Sequence, residues 1–201
     1  MRGSEKRGEV VECVRLKGSL HITGPPRAGK STLVLNIVSK LRSMGCSIGG
    51  IAAPDVVEGG SRVGFKIVDL MSGSEGWLAR KGLEAPSWPR LGSYTIVVDD
   101  VVNIGVNALK RALSSADIIV IDEIGPMELK VNSLRDAIVR VLTSDKPLLT
   151  VFHRRLKNTH PQIFKLILGG CIINMTVHDR VVLGELSDGI ARAFAERAKC
   201  S

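Results

Sequence analysis

Aromatic side chains are scarce. Two Trp, one Tyr and four Phe make up 3% of the 201 residues, so the core must be built from Val, Ile, Leu and Ala. Long apolar runs are missing too. No uncharged apolar stretch is long enough to cross a bilayer. The first seven residues, Met1-Arg2-Gly3-Ser4-Glu5-Lys6-Arg7, carry no signal-peptide-like apolar segment. A cytoplasmic location without a membrane partner is expected. Four cysteines, Cys13, Cys46, Cys171 and Cys200, are scattered with no C-x-x-C pair. That argues against zinc and redox motifs and predicts reduced, structural thiols.

What the chain does have is positive charge and aliphatic bulk. The net charge is +8, with 44% hydrophobic and 24% charged residues. This predicts one globular domain over residues 1–201, with 1–17 as an N-terminal extension. A basic balance suits polyanionic partners, either nucleic acid or a free nucleotide. The cations are spread, apart from clusters at Arg2–Arg7 and His153–Lys157, as on an ordinary solvated basic surface. No RRM, KH or zinc-finger signature supports nucleic acid as the partner.

Periodicity predicts alternating strands and helices. Leu20–Thr23 reads as a short buried strand, and Leu33, Ile37 and Leu41 fall at helical spacing, with Gly45 as the stop. Ser47–Ala53 reads as a strand, Arg62–Asp69 and Gly76–Ala79 as two arms of a β-hairpin, Lys81–Gly92 as loop and Tyr94–Val98 as β-rich. Val106–Leu113 reads as helix. The fully apolar Ile118–Ile121 fits a central parallel strand. A helix carrying Leu134, Ile138, Val141 and Leu142, a strand Pro147–Phe152, a helix Pro161–Leu168, a strand Cys171–Val177 and a helix Leu186–Ala198 complete the pattern. Met1–Lys17 shows no clear period. The fold class predicted is α/β, a mostly parallel sheet with helices on both faces and a β-hairpin insertion.

The chemistry starts at Gly24-Pro25-Pro26-Arg27-Ala28-Gly29-Lys30-Ser31, which matches G-x-x-x-x-G-K-[ST] at every fixed position. Lying between a strand and a helix, this turn points backbone N–H groups and the positive helix end at phosphates. Gly24 to Thr32 would cradle the nucleotide, Lys30 would reach the β and γ phosphates, and Ser31 would hold Mg²⁺. The second half of the site is Ile118-Ile119-Val120-Ile121-Asp122-Glu123. Its apolar strand delivers Asp122, a metal-holding carboxylate, and Glu123, a base for an attacking water, to the sheet edge where the loop lies. A third feature, His153-Arg154-Arg155, has two readings: a γ-phosphate sensor (His153) with a charge-stabilising Arg154, or a basic surface turn.

Other residues also have two readings each. Trp77, Trp88 and Tyr94 either pack or stack on a base. Glu128 either joins the acidic edge or is a loop carboxylate. Arg62, Lys66 and Arg80 either contact a polyanion or are solvated strand charges.

These motifs, with Gly49-Gly50, Glu58-Gly59-Gly60, Arg62-Val63-Gly64-Phe65, Gly76-Trp77-Leu78-Ala79-Arg80 and Asp122-Glu123-Ile124-Gly125-Pro126-Met127-Glu128, resemble the THEP1-type nucleoside-triphosphatases, a cancer-related NTPase family. The resemblance spans roughly Leu20 to His160. It implies a RecA-like P-loop fold and Mg²⁺-dependent hydrolysis of ATP, GTP, CTP, UTP and TTP to their diphosphates. The chain departs from the family at Arg27, where glycine is usual and φ > 0 comes without strain, and in its C-terminal third. Two alternatives share the motifs. A nucleotide or small-molecule kinase would transfer phosphate to an acceptor, and a nucleic-acid-stimulated ATPase would respond to RNA or DNA.

Overall fold

The computed structural model describes residues 2–176 and 183–200. Five parallel strands form the centre of one sheet: β1 (Ser19–Thr23), β2 (Ile48–Ala52), β8 (Ile118–Ile124), β9 (Leu148–Phe152) and β10 (Cys171–Asn174). Their spatial order is β10-β1-β9-β8-β2. Beyond β2 the sheet continues antiparallel through β4 (Ser61–Asp69), β5 (Glu75–Lys81), β7 (Tyr94–Ile96) and β6 (Arg90–Leu91), with β3 (Asp55–Glu58) folded back on β4. This is the α/β class that the alternation predicts, and the hairpin has grown into an antiparallel wing.

Alternation along the central strands shows why the sheet is covered on both sides. In β8, Ile118 and Val120 join one apolar cluster, Ile119 and Ile121 the other, and all four are fully buried. One face receives α1 (Arg2–Lys17), α2 (Lys30–Ser43) and α8 (Leu183–Ala198). The other receives α4 (Asn107–Ser115), α5 (Asn132–Leu142) and α7 (Pro161–Ile167). A strand buried on both faces is apolar over most of its length, the signal that Ile118–Ile121 of β8 carries in the sequence.

Several expectations need correction. Met1–Lys17 shows no period in sequence, yet Arg2–Lys17 is a helix lying on α8 and β10. Of its few apolar positions, Val10, Val11 and Val14 pack into the cluster on that side, while Leu16 is exposed. The helix expected from Val106 begins earlier, at α3 (Val98–Asp100), and passes through a π-helical segment, Val101–Val106, before α4. The wider turn there breaks the 3.6 period that would have revealed it. The Lys81–Gly92 loop contains the two-residue β6, and the basic turn after β9 holds a short helix, α6 (Leu156–Thr159). For the strand predicted over Cys171–Val177, Val177 lies outside the described residues.

The thiols are not free. Cys13 is bridged to Cys171, and Cys46 to Cys200. Each bridge joins positions more than 150 residues apart, so sequence spacing carries no trace of the pairing. No described helix is long and apolar enough to cross a membrane.

Candidate nucleotide site

β1 ends at Thr23 and the chain turns through Gly24–Gly29 into α2, whose first residue is Lys30. Two glycines are required by geometry. Gly29 has φ 91°, and a Cβ on Gly24 would stand 2.5 Å from the Met175 carbonyl oxygen. Arg27 also takes a positive φ, 62°. The loop thus holds an arginine in the left-handed region, at a cost of about 1–2 kcal/mol. Its side chain is exposed. The first turn of α2 contains no acidic residue, so nothing within it neutralises the positive helix end.

Lys30 is half-buried, and its Nζ donates to the carbonyls of Gly24 (3.2 Å) and Pro25 (3.0 Å). The Ser31 hydroxyl lies near enough to the Asp122 carboxylate to pull its pKa down against the effect of burial. The two residues stand at the start of α2 and near the end of β8, with β9 between β1 and β8. With strands about 4.8 Å apart, a one-strand gap separates the phosphate loop from the acids by roughly 10 Å, room for phosphoryl groups between them.

Three carboxyls crowd the end of β8. Burial raises Asp122 above the ordinary carboxylate range, against the pull of the Ser31 hydroxyl and Lys30. Burial pushes Glu123 up to about 7; the charge of Lys30 works against it and that of Asp122 with it. The peptide between Asp122 and Glu123 is cis. Burial pushes Glu128 up to about 8. It is only 6% exposed, and its Oε2 accepts from Gly125 N–H at 3.0 Å. Glu128 therefore belongs to the acidic edge and braces the turn that follows Glu123.

β9 brings His153 to the same edge, and the His153 N–H donates to the Ile124 carbonyl at 3.0 Å. Burial lowers the His153 pKa, with further lowering from Arg155, Arg154 and Lys30. The structure thus gathers Lys30, Ser31, Asp122, Glu123 and His153. Arg154 is exposed in the turn after β9, with no described bond to the loop. Trp77 is engaged elsewhere: Lys66 and Arg80 lie over its ring at 4.8 and 4.6 Å. Arg62 pairs with Asp55 and Lys66 with Glu75. Tyr94 packs edge-on against Phe65.

Sequence reasoning missed the approach of the Met175 carbonyl to Gly24 and the buried Thr23 hydroxyl, whose Oγ1 has no hydrogen-bond partner among the described residues. Thr23, an acceptor-donor directly before the loop, was the available signal. Among the described residues no cluster of three or more His, Cys, Asp or Glu could hold a metal by itself. Ser31 and Asp122 offer two hard oxygen donors to an ion that also takes phosphate oxygens, and such a set suits Mg²⁺.

A family model described as NTPase matches residues 19–186. The nucleoside-triphosphatase THEP1 of Ignicoccus hospitalis is 48% identical over 139 residues, covering 69% of this chain and 77% of that protein. The THEP1 of Thermofilum pendens is 47% identical over 134 residues, 67% and 72% of the two chains. The crystal structure of THEP1 from the hyperthermophile Aquifex aeolicus superimposes with a TM-score of 0.68 at 26% identity, covering 83% of this chain and 95% of that one. The solution structure of a human cancer-related nucleoside triphosphatase gives 0.68 at 28% identity, with 85% and 95% covered. The parallel order β10-β1-β9-β8-β2, the loop after β1 and the acids after β8 thus sit in a chain that belongs to the THEP1 family of P-loop nucleoside-triphosphatases.

Proposed function

We propose that this chain hydrolyses nucleoside triphosphates to diphosphates and phosphate, with Mg²⁺ and with little regard for the base. The observation that carries the reading is the placement of Glu123 and Lys30 on opposite sides of a one-strand gap, close enough that the lysine charge acts on the carboxyl. Glu123, held near neutrality, orients a water and takes its proton as the oxygen attacks the γ phosphorus. Lys30 leaves the Gly24 and Pro25 carbonyls for the phosphate oxygens. The N–H groups of Gly29 to Thr32 absorb charge that develops on the transferred group. Ser31 and Asp122 would hold the Mg²⁺, which supplies charge neutralisation on the β and γ phosphates. Arg154, on the exposed turn beside His153, adds a cation once nucleotide is present. Tolerance of ATP, GTP, CTP, UTP and TTP is supported by a set of groups that all address phosphate. The relatives' names, too, speak of a nucleoside triphosphate without specifying a base.

Phosphate release from each of the five triphosphates, with Mg²⁺ and with chelator, tests the reading. Comparable release from all five, lost on chelation, is expected. Phosphate appearing on an added nucleoside or nucleotide, with none released to water, would instead make the protein a kinase. Turnover only with added RNA or DNA would make it a nucleic-acid-stimulated ATPase.

A further inference from the structure

The parallel strands have two ends, and the phosphate loop occupies one of them. At the other, where β1, β9 and β10 begin, lies a cavity of about 220 Å³. Lys17, Lys146 and Arg197 line it, with Ser19, His21 and Gly170 at its floor. Against these three cations stands one lining carboxylate, that of the exposed Asp145. Lys17 Nζ reaches only the Gly170 carbonyl, at 3.4 Å, and Lys146 Nζ donates to the Ala116 carbonyl at 2.7 Å. None of the three forms an ion pair with another described residue. Asp117 is held below its ordinary range mainly by hydrogen bonds from Ser47, with a smaller pull from Lys146.

His21 is the independent observation. It is 2% exposed, and its Nδ1 lies 2.8 Å from the Thr150 hydroxyl. Its Nε2 edge faces Gly170 and the cavity, and no described group bonds to that nitrogen. Gly170 keeps this edge open: a Cβ there would stand 2.5 Å from His21 Nε2 and 2.5 Å from Ser19 Oγ. That nitrogen opens onto the cavity; the unpartnered polar side-chain atom sealed inside the described residues is Thr23 Oγ1 instead. His21 Nε2 is aimed into a cavity whose rim is positively charged.

We propose that this cavity is a second anion site, taking a small phosphate-class oxyanion, either inorganic phosphate or a small phosphomonoester. The three cations supply the charge. Thr150, donating to Nδ1, sets the tautomer whose Nε2–H points at the anion, and the Ser19 hydroxyl donates beside it. The volume lies below the roughly 300–1,000 Å³ typical of larger ligands, which excludes a whole nucleotide. The site is distinct from the phosphate loop. β1 separates them by about 13 Å, four residues at ~3.3 Å each.

The test uses the full chain with its phosphate loop filled by a non-hydrolysable triphosphate analogue and Mg²⁺. Inorganic phosphate, glycerol phosphate and chloride are titrated separately while the His21 imidazole signals are followed by NMR. A saturable His21 shift with phosphate or glycerol phosphate, and none with chloride, is expected; the tighter of the two identifies the source. Lys146→Gln and Arg197→Gln, two changes at the cavity rim, should each weaken binding by on the order of tenfold. Gly170→Ala should abolish the shift by closing the floor. The proposal is overturned by the absence of a saturable His21 shift with both oxyanions, by an equal response to chloride, or by unchanged affinity in a folded Lys146→Gln/Arg197→Gln chain.

Discussion

Lys30 Nζ is hydrogen-bonded to the Pro25 carbonyl at 3.0 Å, which ties the lysine back onto its own loop. The bond is only half-buried and ties together a loop already fixed by its strand and helix. Lys30→Ala should therefore cost less than about 1 kcal/mol of stability while lowering kcat by about 10²–10³-fold. Urea denaturation and phosphate release, measured on the same preparation, check both halves.

Glu123→Gln keeps the shape of the side chain and removes the base. Binding of a fluorescent triphosphate in the presence of Mg²⁺ should change little, and turnover should fall by about 10²–10⁴-fold. Unchanged turnover would remove Glu123 from the mechanism.

Arg27 sits at φ 62°, where glycine is unstrained. Relief of about 1–2 kcal/mol of strain, less the added freedom of glycine when unfolded, leaves Arg27→Gly about 1 kcal/mol more stable. The melting temperature should rise by about 2–4 °C. Calorimetry without nucleotide reads this directly, and a drop would show that the arginine side chain supports the loop.

Glu128 favours its protonated form in the fold, being pushed up to about 8 from an ordinary 4.5. A raised carboxyl stabilises the fold below its unfolded pKa, and that contribution is lost as pH climbs through the folded one. Stability of the metal- and nucleotide-free protein should fall from about pH 5 to about pH 8.5, with Glu128 contributing at most roughly 4 kcal/mol of the change. Glu128→Gln should flatten much of this slope, leaving the smaller part that comes from Glu123. Urea midpoints across that pH range measure it.

The bridges Cys13–Cys171 and Cys46–Cys200 each close a loop of more than 150 residues. Removing either should cost about 2–5 kcal/mol. Melting with and without a phosphine reductant, compared with Cys13→Ala/Cys171→Ala, tests the size of the effect. A melting temperature indifferent to reductant would contradict it.

Those elements whose burial is simple were legible in the sequence. β8 declares itself because both of its faces are covered, and α2 because Leu33, Ile37 and Leu41 fall on one buried stripe. The halves of the candidate site could be read separately, since a phosphate loop and an acid-ended strand each have a local pattern. Their separation by β9 is a property of strand order, and no local pattern encodes it. α1 escaped notice because a helix held mainly by its contacts with α8 and β10 needs few apolar residues of its own. β3 escaped because its side chains are mostly exposed, leaving no alternation to detect. The cysteines misled because compartment-based reasoning weighs their number and spacing, whereas pairing depends on which surfaces meet.

The two bridges interleave along the chain, in the order Cys13, Cys46, Cys171, Cys200. Every peptide bond from Cys13 to Cys200 is therefore spanned by at least one of them. A protease that cuts once anywhere in that stretch leaves a single covalent molecule, and its two pieces separate on a gel only after reduction.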